Sequence, residues 1–132
     1  MDSSAHVLFV RHTLAAHDPV SDTLCRNDFS VIVVNDGAEM HRLLSLGNID
    51  VLILDVTTPR TDAANRWEQV CSASNPPVIM LAAPGTEPGA VHALHAGAAD
   101  YITKPFSDRE LVARVRSVLR RTRWQASEAP TR

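Results

Sequence analysis

The 132-residue sequence is short of several things that would have fixed a function early. Cysteine occurs twice, at Cys25 and Cys71, far apart and outside any CxxC or Cys/His spacing. That disfavours a disulfide framework or a zinc site, and both thiols read as reduced, partly buried side chains. No apolar run approaches the ~20 residues that span a bilayer. The opening MDSSAHVLFV carries an acid and too short an apolar stretch for a secretory leader. A cytoplasmic protein with no membrane partner is expected. Basic excess is missing as well. The net charge is −2, which excludes a whole-domain positive field for nucleic acid. No glycine-rich phosphate loop follows an apolar run, and no Ser, His and Asp are spaced as nucleophile and base. An enzyme is not expected. Internal repeats and low-complexity tracts are also lacking.

What is present is ordinary globular composition, 45% apolar and 21% charged, in a length that fits one core. Five short apolar runs recur: His6–Val10, Ser30–Val34, Val51–Leu54, Val78–Leu81 and Asp100–Ile102. The first four are rich in Val, Ile and Leu with little alternation, as strands buried on both faces are. Helical spacing lies between them. A first helix is expected over about Pro19 to Asn27. Ala38, Leu43, Leu44 and Leu46 follow the Asn35-Asp36-Gly37 turn, Trp67, Val70 and Cys71 share a face, and Val91 and Leu94 precede a stop at Gly97. The last helix is capped by Ser107 or Asp108 and carries the stripe Leu111, Val115, Val118 and Leu119. Residues 1–121 read as one domain. Residues 122–132 lack periodicity and read as a linker or disordered tail toward an output domain that this chain does not contain.

Strands alternating with helices give right-handed β-α-β units and a parallel sheet covered on both faces. Such open sheets place functional groups at the carboxyl ends of their strands. Arg11 and His12 follow the first strand. Asp55 ends the third, Ala82 and Ala83 end the fourth, and Thr103, Lys104 and Pro105 follow the fifth. An aspartate, a lysine, an arginine and a histidine therefore meet on one rim.

Three stretches, DVLILDVTTP, AGAADYITKPF and ELVARVRSVLRR, together with VIMLAA, make the chain resemble the receiver domain of a two-component response regulator. The final helix is most similar to the OmpR/PhoB-like subfamily, whose receivers precede a DNA-binding domain. The resemblance spans residues 5–121. It implies a doubly wound, flavodoxin-like five-stranded parallel sheet, order 2-1-3-4-5, with five helices. It further implies that Asp55 aligns with the aspartate phosphorylated by a histidine kinase. Lys104 would pair with the phosphoryl group, and the main-chain carbonyl of Thr57 would be a Mg²⁺ ligand. Tyr101 would be the aromatic that changes rotamer, and the Lys104-Pro105 bond would be cis. A homodimer face built from the fourth helix, fifth strand and fifth helix would use Asp100, Arg114 and Arg116.

The chain departs from that pattern at two places. Arg11 and His12 stand where the family has two acids that hold Mg²⁺, and Ala82 stands where it has a Thr or Ser. Mg²⁺ needs oxygen ligands, so its binding is expected to be lost or weak and no cofactor is expected. A family site with three carboxylates, a lysine and a divalent cation is neutral. Here Asp55 gives −1 and Arg11 with Lys104 gives +2, so the rim is balanced or slightly positive with no metal, and the planar fork of Arg11 is suited to pair with Asp55. The expected function is an atypical receiver that controls a transcription factor by phosphorylation-independent dimerisation or protein contact, with DNA held only by an output domain. A conventional phosphoacceptor using Asp55 and a histidine kinase is one alternative. A sensor of a small carboxylate or phosphate ligand is the other.

Overall fold

The computed structural model describes residues 5–11, 19–35, 37–56, 74–82 and 97–128. Five strands are present: β1 (His6–Val10), β2 (Ser30–Val34), β3 (Val51–Val56), β4 (Val78–Ala82) and β5 (Asp100–Thr103). They form one parallel sheet in the order β2-β1-β3-β4-β5. The expected strands appear, with β3 ending two residues later, and β4 and β5 one residue later, than the apolar runs that signal them. The described helices are α1 (Pro19–Arg26), α2 (Gly37–Ser45) and α3 (Asp108–Glu128). The helices expected around Trp67 and around Val91 lie outside the described residues, as does Cys71.

The central strands are apolar without alternation because both sheet faces are covered. Successive side chains point to opposite faces, so each strand feeds two cores. On one face Val7, Phe9, Ile53, Ile79 and Ile102 pack with Leu24 of α1 and with Leu111, Val115 and Val118 of α3. On the other, Leu8, Val10, Leu52, Leu54 and Met80 pack with Met40 of α2. The stripe expected on the last helix is therefore the stripe that is buried.

Local chemistry sets the helix ends. The α1 terminus closes with Phe29 N–H donating to the Leu24 carbonyl and Asp28 N–H donating to the Cys25 carbonyl. Asp28 sits there at φ 72°, the left-handed position usually held by glycine. The Asn27 side-chain amide adds a bond to the Thr23 carbonyl at 2.8 Å. Gly47, at φ 81°, takes the corresponding position after α2. At the start of α3 the Ser107 hydroxyl accepts from Glu110 N–H at 3.0 Å, which settles the cap on Ser107 rather than Asp108.

Three expectations need correction. Leu46 lies beyond α2 and is 60% exposed, so it does not share the core face of Leu43 and Leu44. Cys25 is exposed, because Thr23 and Leu24 take the buried side of α1. The segment after residue 121 does not leave the helix there; α3 continues to Glu128. Thr122 through Glu128 contains neither glycine nor proline, so nothing over that stretch opposes the helix.

Candidate functional site

The strand register assembles the rim. Val10 pairs with Leu54, so the next residues, Arg11 and Asp55, stand side by side at the ends of β1 and β3. Asp55 pairs with Leu81, and Leu81 pairs with Ile102, two residues before Lys104. The Arg11 amide extends the ladder by donating to the Val34 carbonyl, and the Lys104 amide does so by donating to the Ala82 carbonyl. The peptide bond from Lys104 to Pro105 is cis.

Asp55 is 8% exposed, the one buried carboxylate among the described residues. Lys104 Nζ, belonging to the single lysine of the chain, lies 2.9 Å from Asp55 Oδ1 and 3.1 Å from Oδ2. A buried carboxylate is tolerated when a cation and hydrogen bonds compensate its lost hydration, and Lys104 supplies both. The ion pair found for Asp55 is thus with Lys104, where the sequence pointed to Arg11. The flexible four-carbon stem of Lys104 reaches both oxygens from the end of β5. Arg11 is half-buried, with its Nε inside the protein. Ala82 is fully buried and brings no hydroxyl to the rim. His12 and Thr57 lie outside the described residues.

Mg²⁺ at this rim would need several oxygen donors. Among the described residues Asp55 brings one carboxylate, and no group of three His, Cys, Asp or Glu side chains is gathered. The neighbouring charged groups, Arg11 and Lys104, are cations. A hard divalent ion needs several oxygen ligands at short range, so these residues do not fit it.

Tyr101 is half-buried and packs against the core on the α2 face, beside Met80 and Leu54. It holds the place of a packed strand residue on β5. Its neighbour Asp100 accepts from Arg114 Nη1 at 3.2 and 3.1 Å, and Arg114 Nη2 also lies 3.5 Å from Glu110. The hydrogen bond and charge of Asp100 hold the Arg114 guanidinium above its usual pKa. Within the chain, Arg116 is set apart from these two. Two helical residues apart is about 200° around the axis, so Arg116 leaves the β5 side. Its guanidinium lies 6.0 Å over the Phe29 ring, on the α1 side. The Asp100–Arg114 pair inside one chain had no sequence signal beyond opposite charge, because its partners are fourteen residues apart.

With this geometry in place, comparison with known proteins is direct. Residues 10–116 match the family model of the response regulator receiver domain. The transcriptional regulatory protein CpxR of Klebsiella pneumoniae is 39% identical over 112 residues, covering 85% of this chain and 48% of CpxR. CpxR of Escherichia coli K12 is 44% identical over 100 residues, covering 76% and 43%. A response regulator from Thermotoga maritima superimposes with a TM-score of 0.73 at 25% identity, covering 88% of this chain and 98% of that one. The chain belongs to the response regulator receiver family, the signal-receiving modules of two-component systems. It spans about half the length of the curated relatives it matches.

Proposed function

We propose that this is an atypical receiver, one that regulates transcription through dimerisation or another protein contact and not through phosphorylation of Asp55. The observation that carries the reading is Arg11, which stands beside Asp55 at the end of β1 where an acid would help to hold the metal. Lys104 Nζ already occupies both oxygens of Asp55, and Arg11 rather than an acid stands beside it at the end of β1. In phosphoryl transfer the metal neutralises charge on the transferring group. This rim has Arg11 and His12 in place of the two carboxylates that would help to recruit that metal. Arg11 then contributes positive charge where the family has Mg²⁺, and the rim is held in one state. Ala82 removes the hydroxyl that would bind a phosphoryl group, and Tyr101 stays packed. The dimer contact would use the β5–α3 edge, where Asp100 and Arg114 lie, and DNA would be held by a separate output domain.

The test is an amide NMR titration with Mg²⁺ and beryllofluoride, which mimics a phosphoryl group on aspartate. The expected result is that resonances of Asp55, Lys104 and Tyr101 stay in place. A saturable shift that requires the metal would overturn the proposal. It would establish the second reading, a conventional phosphoacceptor served by a histidine kinase. One observation favours that alternative: Asp55 and Lys104 keep the spacing at which a lysine can bind a phosphorylated aspartate.

A further inference from the structure

The charge of α3 is concentrated in a way that the chain average hides. From Leu111 to Ser127 the helix carries five arginines and neither Asp nor Glu, in a chain whose net charge is −2. The arginines fall into two sets. Arg114 is tied to Asp100 and Glu110, and Arg121 Nη2 lies 3.4 Å from the Ala99 carbonyl; both sit on the β5 side. Arg109, Arg116 and Arg120 are spaced seven and four apart, which places them within about 40° of one another around the axis. They form a stripe about 16 Å long, at 1.5 Å per residue, on the flank of α3 that leans toward α1. All three are exposed, and among the described residues no carboxylate lies within ion-pair distance of any of them. The contact found for this set is Arg116 over Phe29.

We propose that this stripe binds the phosphate backbone of duplex DNA, without reading sequence. The proposal rests on the reading of the chain as part of a transcription regulator, and goes beyond it, since that reading places DNA on a separate output domain alone. The planar forks of arginine match phosphate and carboxylate oxygens alike. Two observations favour phosphate over an acidic protein surface. The side of the helix between them exposes Ala113 and part of Ser117, with no large apolar side chain to anchor a protein interface. The stripe also lies along the helix that would lead to the output domain of the proposed function, whose bound duplex would then lie close. Backbone contacts of this kind position a protein on DNA and add affinity that salt removes.

The experiment is fluorescence anisotropy of a labelled random-sequence duplex titrated with this chain, from low salt to about 200 mM. The comparison is R116E/R120E, with R42E on α2 as an off-stripe control that reverses half as much charge and whose fold is checked in the same way by circular dichroism. Weak binding at low salt is expected, reduced at least tenfold in R116E/R120E and little changed in R42E. Substituting R116Q/R120Q should lower the slope of log affinity against log salt by about 1.8, as two lost phosphate contacts require. Absence of duplex binding at low salt overturns the proposal. So does equal loss in R42E, or binding of polyglutamate as tight as that of the duplex, which would point to an acidic protein partner. None of these outcomes depends on the beryllofluoride titration, so the two readings fail separately.

Discussion

Lys104 Nζ bridges the two oxygens of Asp55, 2.9 Å from one and 3.1 Å from the other, across the carboxyl ends of β5 and β3. The two partners are not equally sheltered. The Asp55 side chain is 11% exposed and that of Lys104 32%. Removing one partner therefore differs from removing the other. Without Asp55, the lysine stem can swing its ammonium into water. Without Lys104, the carboxylate stays enclosed and loses the ion pair that offsets its burial.

Lys104→Met is accordingly expected to cost more stability than Asp55→Ala. Breaking a fully buried pair costs roughly 3–5 kcal/mol, but the exposure of Lys104 screens this one, so about 1–2 kcal/mol is expected for Lys104→Met. The double variant Asp55→Asn/Lys104→Met should regain part of that loss. Urea unfolding of the three variants measures it. A larger loss in Asp55→Ala than in Lys104→Met would show that the carboxylate, not the lysine, is the group the rim can spare.

Much of this architecture was legible in sequence. Unalternating Val/Ile/Leu runs identify β1, β3 and β4 because both faces of a parallel sheet are buried, and Ser107 with Leu111, Val115 and Val118 outlines α3. The ends of elements were less legible. Thr122 to Glu128 continues the helix since no residue there opposes it, whereas periodicity had already faded. Leu46 reads as core by type but falls one residue past α2. At the rim, type and register bring Arg11, Asp55 and Lys104 together, yet which cation takes the carboxylate is decided by side-chain reach. The lone lysine in a chain otherwise supplied with arginine was the available signal.

Asp28 holds the left-handed residue that closes α1, at φ 72°. A side chain with a Cβ carries a steric cost there that glycine does not. Asp28→Gly should therefore stabilise the fold by about 0.5–1 kcal/mol, offset in part by the greater freedom of glycine in the unfolded chain. Thermal unfolding reads this as a rise in Tm. A fall would mean that the Asp28 carboxylate makes a compensating contribution at the α1–β2 turn.

Asp100 and Arg114 satisfy each other within one chain, on an exposed edge. As a fold contact such a pair is worth about 0.2–1 kcal/mol. If the proposed dimer uses the same edge, the pair also sets the charge pattern met by the second copy. Asp100→Arg places two like charges next to each other on both sides of a two-fold interface. The expected outcome by sedimentation velocity is a shift to monomer at concentrations where the parent chain is dimeric, with a stability change under about 1 kcal/mol. Unaltered sedimentation of a folded Asp100→Arg variant would move the interface away from β5 and α3.

Replacing Arg11 and His12 together by aspartate tests whether charge alone separates this rim from a metal site. Arg11 follows Val10, in register with Leu54, so an acid at position 11 would stand beside Asp55 at the same strand ends. Two carboxylates close together repel, and each raises the cost of ionising the other. Mg²⁺ relieves that repulsion and supplies the ion that oxygen donors at this spacing favour. Arg11→Asp/His12→Asp is therefore expected to bind Mg²⁺ measurably by calorimetry where the parent chain does not. Its thermal stability should be lower without the ion and recover as Mg²⁺ is added, because a ligand that binds the folded state alone stabilises it by mass action. Lys104 should remain on Asp55, since it approaches from β5 and the substitutions lie at the end of β1. Restored binding with no restored response to beryllofluoride would assign the remaining defect to Ala82, whose methyl group cannot donate to a phosphoryl oxygen.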